Sequence, residues 1–317
     1  MTAPLLMGAA WAIELAFGWP NWLFRRIRHP VVWIGAVLKY LETRLNRVGQ
    51  SARRTYVSGA VASLTIIIGT TATAAILSYV LPNTTWGYLI EVVVASSLIA
   101  SRSLHEHVYA VATALKSGDM VQARLAVGRI VGRDPDHLDE NGIARASLES
   151  LAENASDGVI APIFWGAVFG LPGIVAYKTI NTLDSMIGHR NRTYAQFGGF
   201  AARVDDLANL IPARLTALLI ASASLTPDSW RIMWRDARKH RSPNAGWPEA
   251  AMAGALGIRL SGPRMYGANS HQEPWLNETA RSPEPEDLDR GLILYFRALG
   301  LGAFGLAIAA AGALYGT

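Results

Sequence analysis

Apolar positions run almost unbroken through residues 4–19, 57–81 and 292–315, the pattern of helices that meet lipid on most faces. A shorter run, 86–100, is apolar except for Glu91. Crossing a bilayer takes roughly 17 to 25 such residues, so the first and the shorter run sit at the lower limit. Glu14 and Glu91 are costly in hydrocarbon and are expected to face protein or an interface. Two further apolar runs, 159–176 and 207–225, have polar, Arg-containing flanks at both ends. The first holds Pro162, Pro172 and three glycines, and the second holds Pro212 and Arg214. A full crossing would put one flank of each on the far side. Both are therefore expected as buried or re-entrant helices, where protein or water covers irregular backbone. Gly166 and Gly170 form a GxxxG pair that allows close helix packing, within the chain or in a homo-oligomer.

The expected fold is all-α: a single polytopic membrane domain over 1–317, with about four spanning helices and buried or re-entrant helices that form a site on the cytoplasmic face. Catalytic core motifs fall in 102–215. Residues 226–290, polar and rich in Pro, Trp and Arg, read as a cytoplasmic excursion.

Charge sharpens the topology. Arg25, Arg26, Arg28, Lys39, Arg44, Arg47, Arg53 and Arg54 crowd the loop between the first two runs, against Glu42 alone. The positive-inside rule makes that loop cytoplasmic and the N-terminus external. The N-terminus has no basic region or cleavage site of a signal peptide, so residues 4–17 read as a retained membrane helix. Hydrophobic residues make up 51% of the chain and charged residues 17%, with a mean hydropathy of +0.21, all on the membrane side of soluble-protein averages. The net charge of +5 follows the arginines beside apolar runs, which fits lipid headgroups and membrane topology, not nucleic acid. With no cysteine there is no disulfide, thiolate metal site or thiol nucleophile.

Candidate chemistry gathers in three clusters. In 134–157 a turn, DPDHLDE, leads into a helical pattern on which Arg145, Glu149 and Glu153 are four apart and share a face. One such pair is ordinarily a surface ion pair. Here Glu153, Asn154, Ser156 and Asp157 stand directly before an apolar run, and paired carboxylates there suit Mg²⁺ completed by water and substrate phosphate. In YKTINTLDSMIGHRNRTY, 177–194, Lys178, Asn181, Asp184 and Ser185 share a helical face, Gly188 can break the helix, and His189, Arg190 and Arg192 follow. A cation, an amide and a carboxylate on one face fit a phosphorylated substrate. In ARVDDLANLIPARL, 202–215, Asp205, Asp206 and Asn209 precede Pro212 and Arg214. Adjacent acids diverge on a helix, so only one of them can share a face with Asn209. His29, before Pro30, fits a site residue or a helix cap equally. No phosphate-binding Lys loop, dinucleotide fingerprint, HExxH or GxSxG occurs, and His105 and His107 are two apart, on different helix faces.

ESLAENASDGVIAPIFW, YKTINTLDSMIGHRN and ARVDDLANLIPARLTALL closely resemble the adenosylcobinamide-phosphate synthase family of cobalamin biosynthesis (CobD/CbiB-like). HPVVWIG at 29–35 and LGIRLSGPRMYG at 256–267 extend the likeness over most of the chain. Gly18-Trp19-Pro20 departs from the family's usual Gly-Asp-Pro. The resemblance implies a multi-pass enzyme of the bacterial inner (cytoplasmic) membrane with its active site facing the cytoplasm. It would be a ligase forming an amide between adenosylcobyric acid and (R)-1-amino-2-propanol or its O-phosphate, with ATP and Mg²⁺, to give adenosylcobinamide or its phosphate. Its partners would be the corrinoid and amino-alcohol substrates, membrane lipid, a second copy of the chain or other enzymes of the pathway. On this reading Glu149, Glu153, Asp157, Lys178, Asp184 and Asp205 are catalytic. Asn154, Ser156, Asn181, Ser185, His189, Arg190, Asn209 and Arg214 bind substrate or phosphate, and Glu153, Asp157, Asp184, Asp205 and Asp206 form the metal pool. Competing expectations are a membrane sensor on the same scaffold, a DDxxN-type phosphotransferase acting on a lipid diphosphate without ATP, and, less well matched, a transporter.

Overall fold

Prolines, glycines and side-chain caps divide the apolar runs into the helices of a computed structural model. It describes residues 1–317 except Val48, Arg133, Asp134, Arg190, Gly267, Ala268, Gly316 and Thr317, and all described side chains but those of Asn21, Arg264–Tyr266 and Asn269–His271. In chain order come α1 (Ala3–Phe17), α2 (Asn21–Ile27), α3 (Pro30–Leu45), α4 (Ala52–Val80) and α5 (Thr85–Ser96). Next are α6 (Ser101–Lys116), α7 (Met120–Val127), α8 (Glu140–Asn154), a π-helical turn (Ala155–Ile160), α9 (Ala161–Ile187) and α10 (Gly199–Ala208). Then follow α11 (Leu210–Ser224), α12 (Pro227–Asp236), a 3₁₀ turn (Ala237–Lys239) and α13 (Gly246–Leu256). Two small antiparallel ladders, β1 (Leu260–Ser261) with β4 (Trp275–Leu276) and β2 (Arg264–Tyr266) with β3 (Asn269–His271), precede α14 (Glu286–Tyr315).

The fold is all-α apart from these ladders, and four helical runs are long and apolar enough to cross a membrane: Ala52–Val80, Thr85–Lys116, Glu140–Ile187 and Glu286–Tyr315. The broken pair α10 and α11 adds a fifth if it counts as one span. The number of spans matches the expectation, but the membership differs. α1, expected as the first span, has 15 residues. That is roughly 22 Å of helix against a core of about 30 Å. It ends where Gly18 takes φ 58 and returns its N–H to the Glu14 carbonyl at 2.7 Å, a conformation that suits glycine.

The chain packs as two compact units. The first comprises Met1–Ala100, Ala161–Asn209 and the end of the chain from Leu306. Its core joins Ile34 and Leu38 of α3, Ala62 and Ile66 of α4, Leu183 and Ile187 of α9, Phe197 and Ala201. α4 lies along the second half of α9, with Thr70 Oγ1 3.0 Å from Thr179 Oγ1. A Cβ at Gly59 would overlap the Phe197 carbonyl, so α4 needs glycine at that point.

α9 is a hairpin, not a straight rod. Gly170 has φ 67 and ψ −153, and Pro172 follows. An ideal Cβ on Gly166 comes 3.2 Å from the Cβ of Ile174, eight residues on. An unbroken helix would hold such residues roughly 12 Å apart. Gly173 lies against the Trp165 carbonyl with no room for a side chain, and Ala161 packs with Tyr177. The reversal folds 161–187 back on itself within the run, 159–176, that is expected as a buried or re-entrant helix. It also brings Tyr177, where the second arm turns polar, beside Ala161 at the start of the first arm.

The second unit comprises Ser101–Ile160 and Leu210–Gly305. α13 is buried almost throughout, with Ala250, Ala251, Met252 and Ala253 fully covered. The segment expected as a polar excursion therefore contains its own core. Asp236, at the end of α12 and fully buried, ties that core to the ladders. It accepts from Arg235 at 2.8 and 2.7 Å and from the Asn277 N–H at 2.8 Å, and pairs with Lys239 at 2.7 Å. Burial opposes its ionisation, but the hydrogen bonds from Arg235, Lys239 and Asn277 prevail and hold its carboxyl well below the usual carboxylate range.

Candidate active site

The second arm of α9 and α10 bring acids and amides together inside the first unit. Tyr177 and Asn209 are each 1% exposed. The Tyr177 hydroxyl donates to Asn209 Oδ1 at 2.8 Å, and Asn209 Nδ2 donates to Asp205 Oδ2 at 3.0 Å. Because its oxygen is taken by the phenol, the Asn209 amide must turn its NH₂ to the carboxylate. Asn209 also closes α10, its N–H returning to the Asp205 carbonyl at 3.0 Å. Trp165, on the first arm of α9, anchors the end of α10 by donating Nε1–H to the Ala208 carbonyl at 3.0 Å. Asp205 is 8% exposed, and its Oδ1 is buried without a hydrogen-bond partner among the described residues, with Asn181 beside it. Asp184 and Asp206 lie close enough for their charges to act on Asp205. Of the adjacent pair it is Asp205 that meets Asn209, while Asp206 stays partly exposed, as helical spacing requires.

Gly188 makes room for this arrangement. A Cβ there would overlap Asp184 Oδ1, and its N–H donates to the Asp184 carbonyl at 2.7 Å. His189 is exposed and near Asp184. Arg190 lies outside the described residues. Ser185 is exposed, and its hydroxyl donates to the Asn181 carbonyl of its own helix at 2.8 Å.

His29 resolves as a cap that also faces the cluster. Its Nδ1 accepts from the Val31 N–H at 3.3 Å, and its ring meets Trp19 edge-on at 5.3 Å. Burial, with the Lys178 charge adding, lowers its pKa, while a hydrogen bond to the Ser97 backbone opposes the shift. Tyr177 is a member of this hydrogen-bonded cluster that spacing alone passed over. Its signal was its place four residues before Asn181, on the face that carries Asp184.

The other candidates belong to the second unit. Glu149 is buried, and its Oε1 accepts from the Ser261 N–H at 2.8 Å, with Arg145 Nε at 3.9 Å. Ser261 has φ 61, so Glu149 braces a strained turn. Arg145 and Arg259 both lie over the Trp275 ring, at 5.1 and 4.4 Å. Asn154 donates to the Ser150 carbonyl at 2.9 Å, Glu153 is exposed and Asp157 partly so. Ser156 is buried in the π turn, and its hydroxyl has no partner among the described residues. Arg214 donates to the carbonyls of Leu210 and Pro243 and to Asn244 Oδ1 at 2.8, 3.3 and 3.0 Å, and lies over Trp247. The expected residues therefore divide between the units: Lys178, Asn181, Asp184, Ser185, His189, Asp205, Asp206 and Asn209 in the first, and Glu149, Glu153, Asn154, Ser156, Asp157 and Arg214 in the second.

Among the described residues no three acidic or histidine side chains gather as a ligand set. A buried carboxylate oxygen without a partner, beside a second carboxylate, still fits a divalent cation. Mg²⁺ is commonly held by one or two carboxylates, with water and phosphate oxygens filling the octahedron.

Similar chains are known from several bacteria. A protein of Rhodobacter capsulatus titled "Cobalamin biosynthesis protein CobD" is 55% identical, covering 94% of this chain and 95% of that one. Proteins with the same title from Brucella suis and Rhizobium meliloti are 46% and 43% identical, each over 96% of both chains. No solved structure matches. A family model described as CobD/Cbib protein matches residues 7–295, nearly the whole chain, and the protein belongs to that family of cobalamin biosynthesis.

Proposed function

We propose that the chain is a bacterial inner-membrane ligase that joins a carboxylate of adenosylcobyric acid to (R)-1-amino-2-propanol or its O-phosphate, with consumption of ATP. The observation that carries this reading is the chain Tyr177–Asn209–Asp205, which fixes a buried carboxylate beside Asp184. Membership of a family of cobalamin biosynthesis supports the pathway. Exposed basic side chains at Arg25, Arg26, Arg28, Arg53 and Arg54 support a cytoplasmic site, where ATP is found.

The chemistry explains why such groups are needed. A carboxylate is a poor acyl donor until its oxygen carries a phosphoryl or adenylyl group. Attack of that oxygen on a phosphorus of ATP forms the C–O–P bond and expels ADP or diphosphate. The amine nitrogen then attacks the acyl carbon, the C–N bond forms, and phosphate or AMP leaves. Asp205, with Asp184, would hold Mg²⁺, which when bound supplies positive charge to the phosphate oxygens. Lys178 and Arg190 would bind phosphate, and Asn181 and Asn209 would keep the carboxylates oriented. The amine must be neutral to attack, and a carboxylate of the same group left free of the metal would take its proton.

The test is amide formation by purified protein in detergent, with cobyric acid, amine, ATP and Mg²⁺. Asp205→Asn and Asp184→Asn should each lower turnover by roughly 10²- to 10⁴-fold. Full activity in both would sink the site. No nucleotide consumed and no amide formed would point to a binding protein, and turnover of a lipid diphosphate without ATP to a phosphotransferase.

A further inference from the structure

The corner between α11 and α12 joins two features that the ligase chemistry does not use. Leu225 has φ 56 and is 87% exposed, a costly conformation and a costly exposure for leucine. Beside it lies a shallow groove, open to solvent and lined by Ala221, Ser222, Leu225, Thr226, Pro227 and Trp230. From that groove α12 runs with Ser229, Ile232, Met233 and Asp236 buried. Its outer face carries Trp230 and Trp234, four apart, the latter 60% exposed. Next to this aromatic pair runs a basic stripe of Arg231, Arg235 and Arg238. Residues 227–241 hold five basic side chains and two acidic ones. Arg231 pairs with the exposed Asp228, and Arg235 shares the buried Asp236 with Lys239. Arg238 is exposed, has no carboxylate partner among the described residues and lies near enough to Arg214 for the two charges to repel.

We propose that this corner binds an anionic phospholipid, with an acyl chain along the groove and the headgroup phosphate on the Arg231–Arg238 stripe. A soluble phosphate would satisfy the arginines but leave Leu225 and the groove bare. A zwitterionic lipid would fill the groove but bring no net charge to the stripe. Exposed tryptophans between an apolar surface and a basic one mark the depth of the headgroups, and helices so patterned lie in the membrane plane. Anionic headgroups add about a factor of five per nearby basic side chain.

The experiment uses the full chain in detergent micelles and counts retained lipid by native mass spectrometry, a readout independent of the ligase reaction. Phosphatidylglycerol should be retained in preference to phosphatidylcholine, and Arg231→Gln/Arg238→Gln should weaken its binding roughly 30-fold. Equal retention of the two lipids, or undiminished binding by the double variant, overturns the proposal. So does displacement of phosphatidylglycerol by inorganic phosphate at matched ionic strength. Because the chain lacks cysteine, Leu225→Cys can carry a single fluorophore, which keeps the proposal testable if the double variant does not fold. In phosphatidylglycerol nanodiscs, lipids brominated on their acyl chains should quench it. An unquenched, water-exposed label refutes the groove assignment.

Discussion

Removing one hydroxyl, by Tyr177→Phe, separates positioning from catalysis at the candidate site. The phenol is 1% exposed and donates to Asn209 Oδ1 at 2.8 Å, so phenylalanine fits the same space and leaves a buried carbonyl unpaired. That loss costs about 1–3 kcal/mol. The hydrogen bond also decides which end of the Asn209 amide meets Asp205. Without it the amide can turn its oxygen towards a carboxylate, and the donor at 3.0 Å is lost for a share of the molecules. A preference weakened by 1.4 to 2.8 kcal/mol corresponds to about a ten- to hundredfold change in population. That factor multiplies the misturned share and not the loss of the correct one, so turnover should fall by more than about twofold, with little change in KM for ATP, and the melting temperature in detergent should drop. A double-mutant cycle with Asn209→Ala should show coupling of roughly 0.5–3 kcal/mol. Wild-type melting with turnover within twofold, or strict additivity in the cycle, would refute this account of the site.

Other perturbations follow from single contacts. Gly188→Ala places a methyl group on Asp184 Oδ1 and should cut amide formation while the protein still folds, as judged by its elution and helical circular dichroism. Gly59→Ala instead meets a backbone carbonyl, that of Phe197, which cannot swing aside, so expression and melting temperature should fall together. Asp236 is ionised more readily in the folded than in the unfolded chain, so its contribution is complete above the unfolded pKa of about 3.9 and is lost as pH falls towards the folded value. Acid melting curves should lose that dependence in Asp236→Asn, and an unchanged acid limb would count against the Asp236 network.

Much of this architecture was legible in the chain because its signals are local. The prolines and glycines of the 159–176 run announced irregular backbone, and spacings of three and four put Lys178, Asn181, Asp184 and Ser185 on one face. The divergence of Asp205 and Asp206 followed from helical geometry alone. What escaped depends on distant partners. Glu149 read as an acid beside Glu153, but its oxygen is occupied by the Ser261 N–H, 112 residues away. Arg214 read as a phosphate contact, but its donors are turned to backbone and amide oxygens, including Asn244, 30 residues on. α1 misled through composition: its apolar content suggested a crossing, whereas its 15 residues and the buried Met7, Ala10 and Trp11 describe a short helix packed against protein. In 226–290 the polar flanks hid α13, whose small residues bury a core without raising hydropathy enough to be noticed.

The hydroxyl contact between Thr70 and Thr179 has a consequence for how the protein is made. The two residues are 109 positions apart in sequence. At about 5–20 residues per second, a ribosome delivers α4 on the order of 10 s before the arm of α9 that covers it. During that interval Thr70 is satisfied only by the carbonyls of its own helix, at 2.9 Å from Ile66 and 3.2 Å from Ile67. Gly59 meanwhile offers a notch with nothing in it. Asn209 is made later still, so the acid site cannot be complete before the whole α9 hairpin has been synthesised. A chain ending between Asp205 and Asn209 would lack the amide that fixes the Asp205 carboxylate.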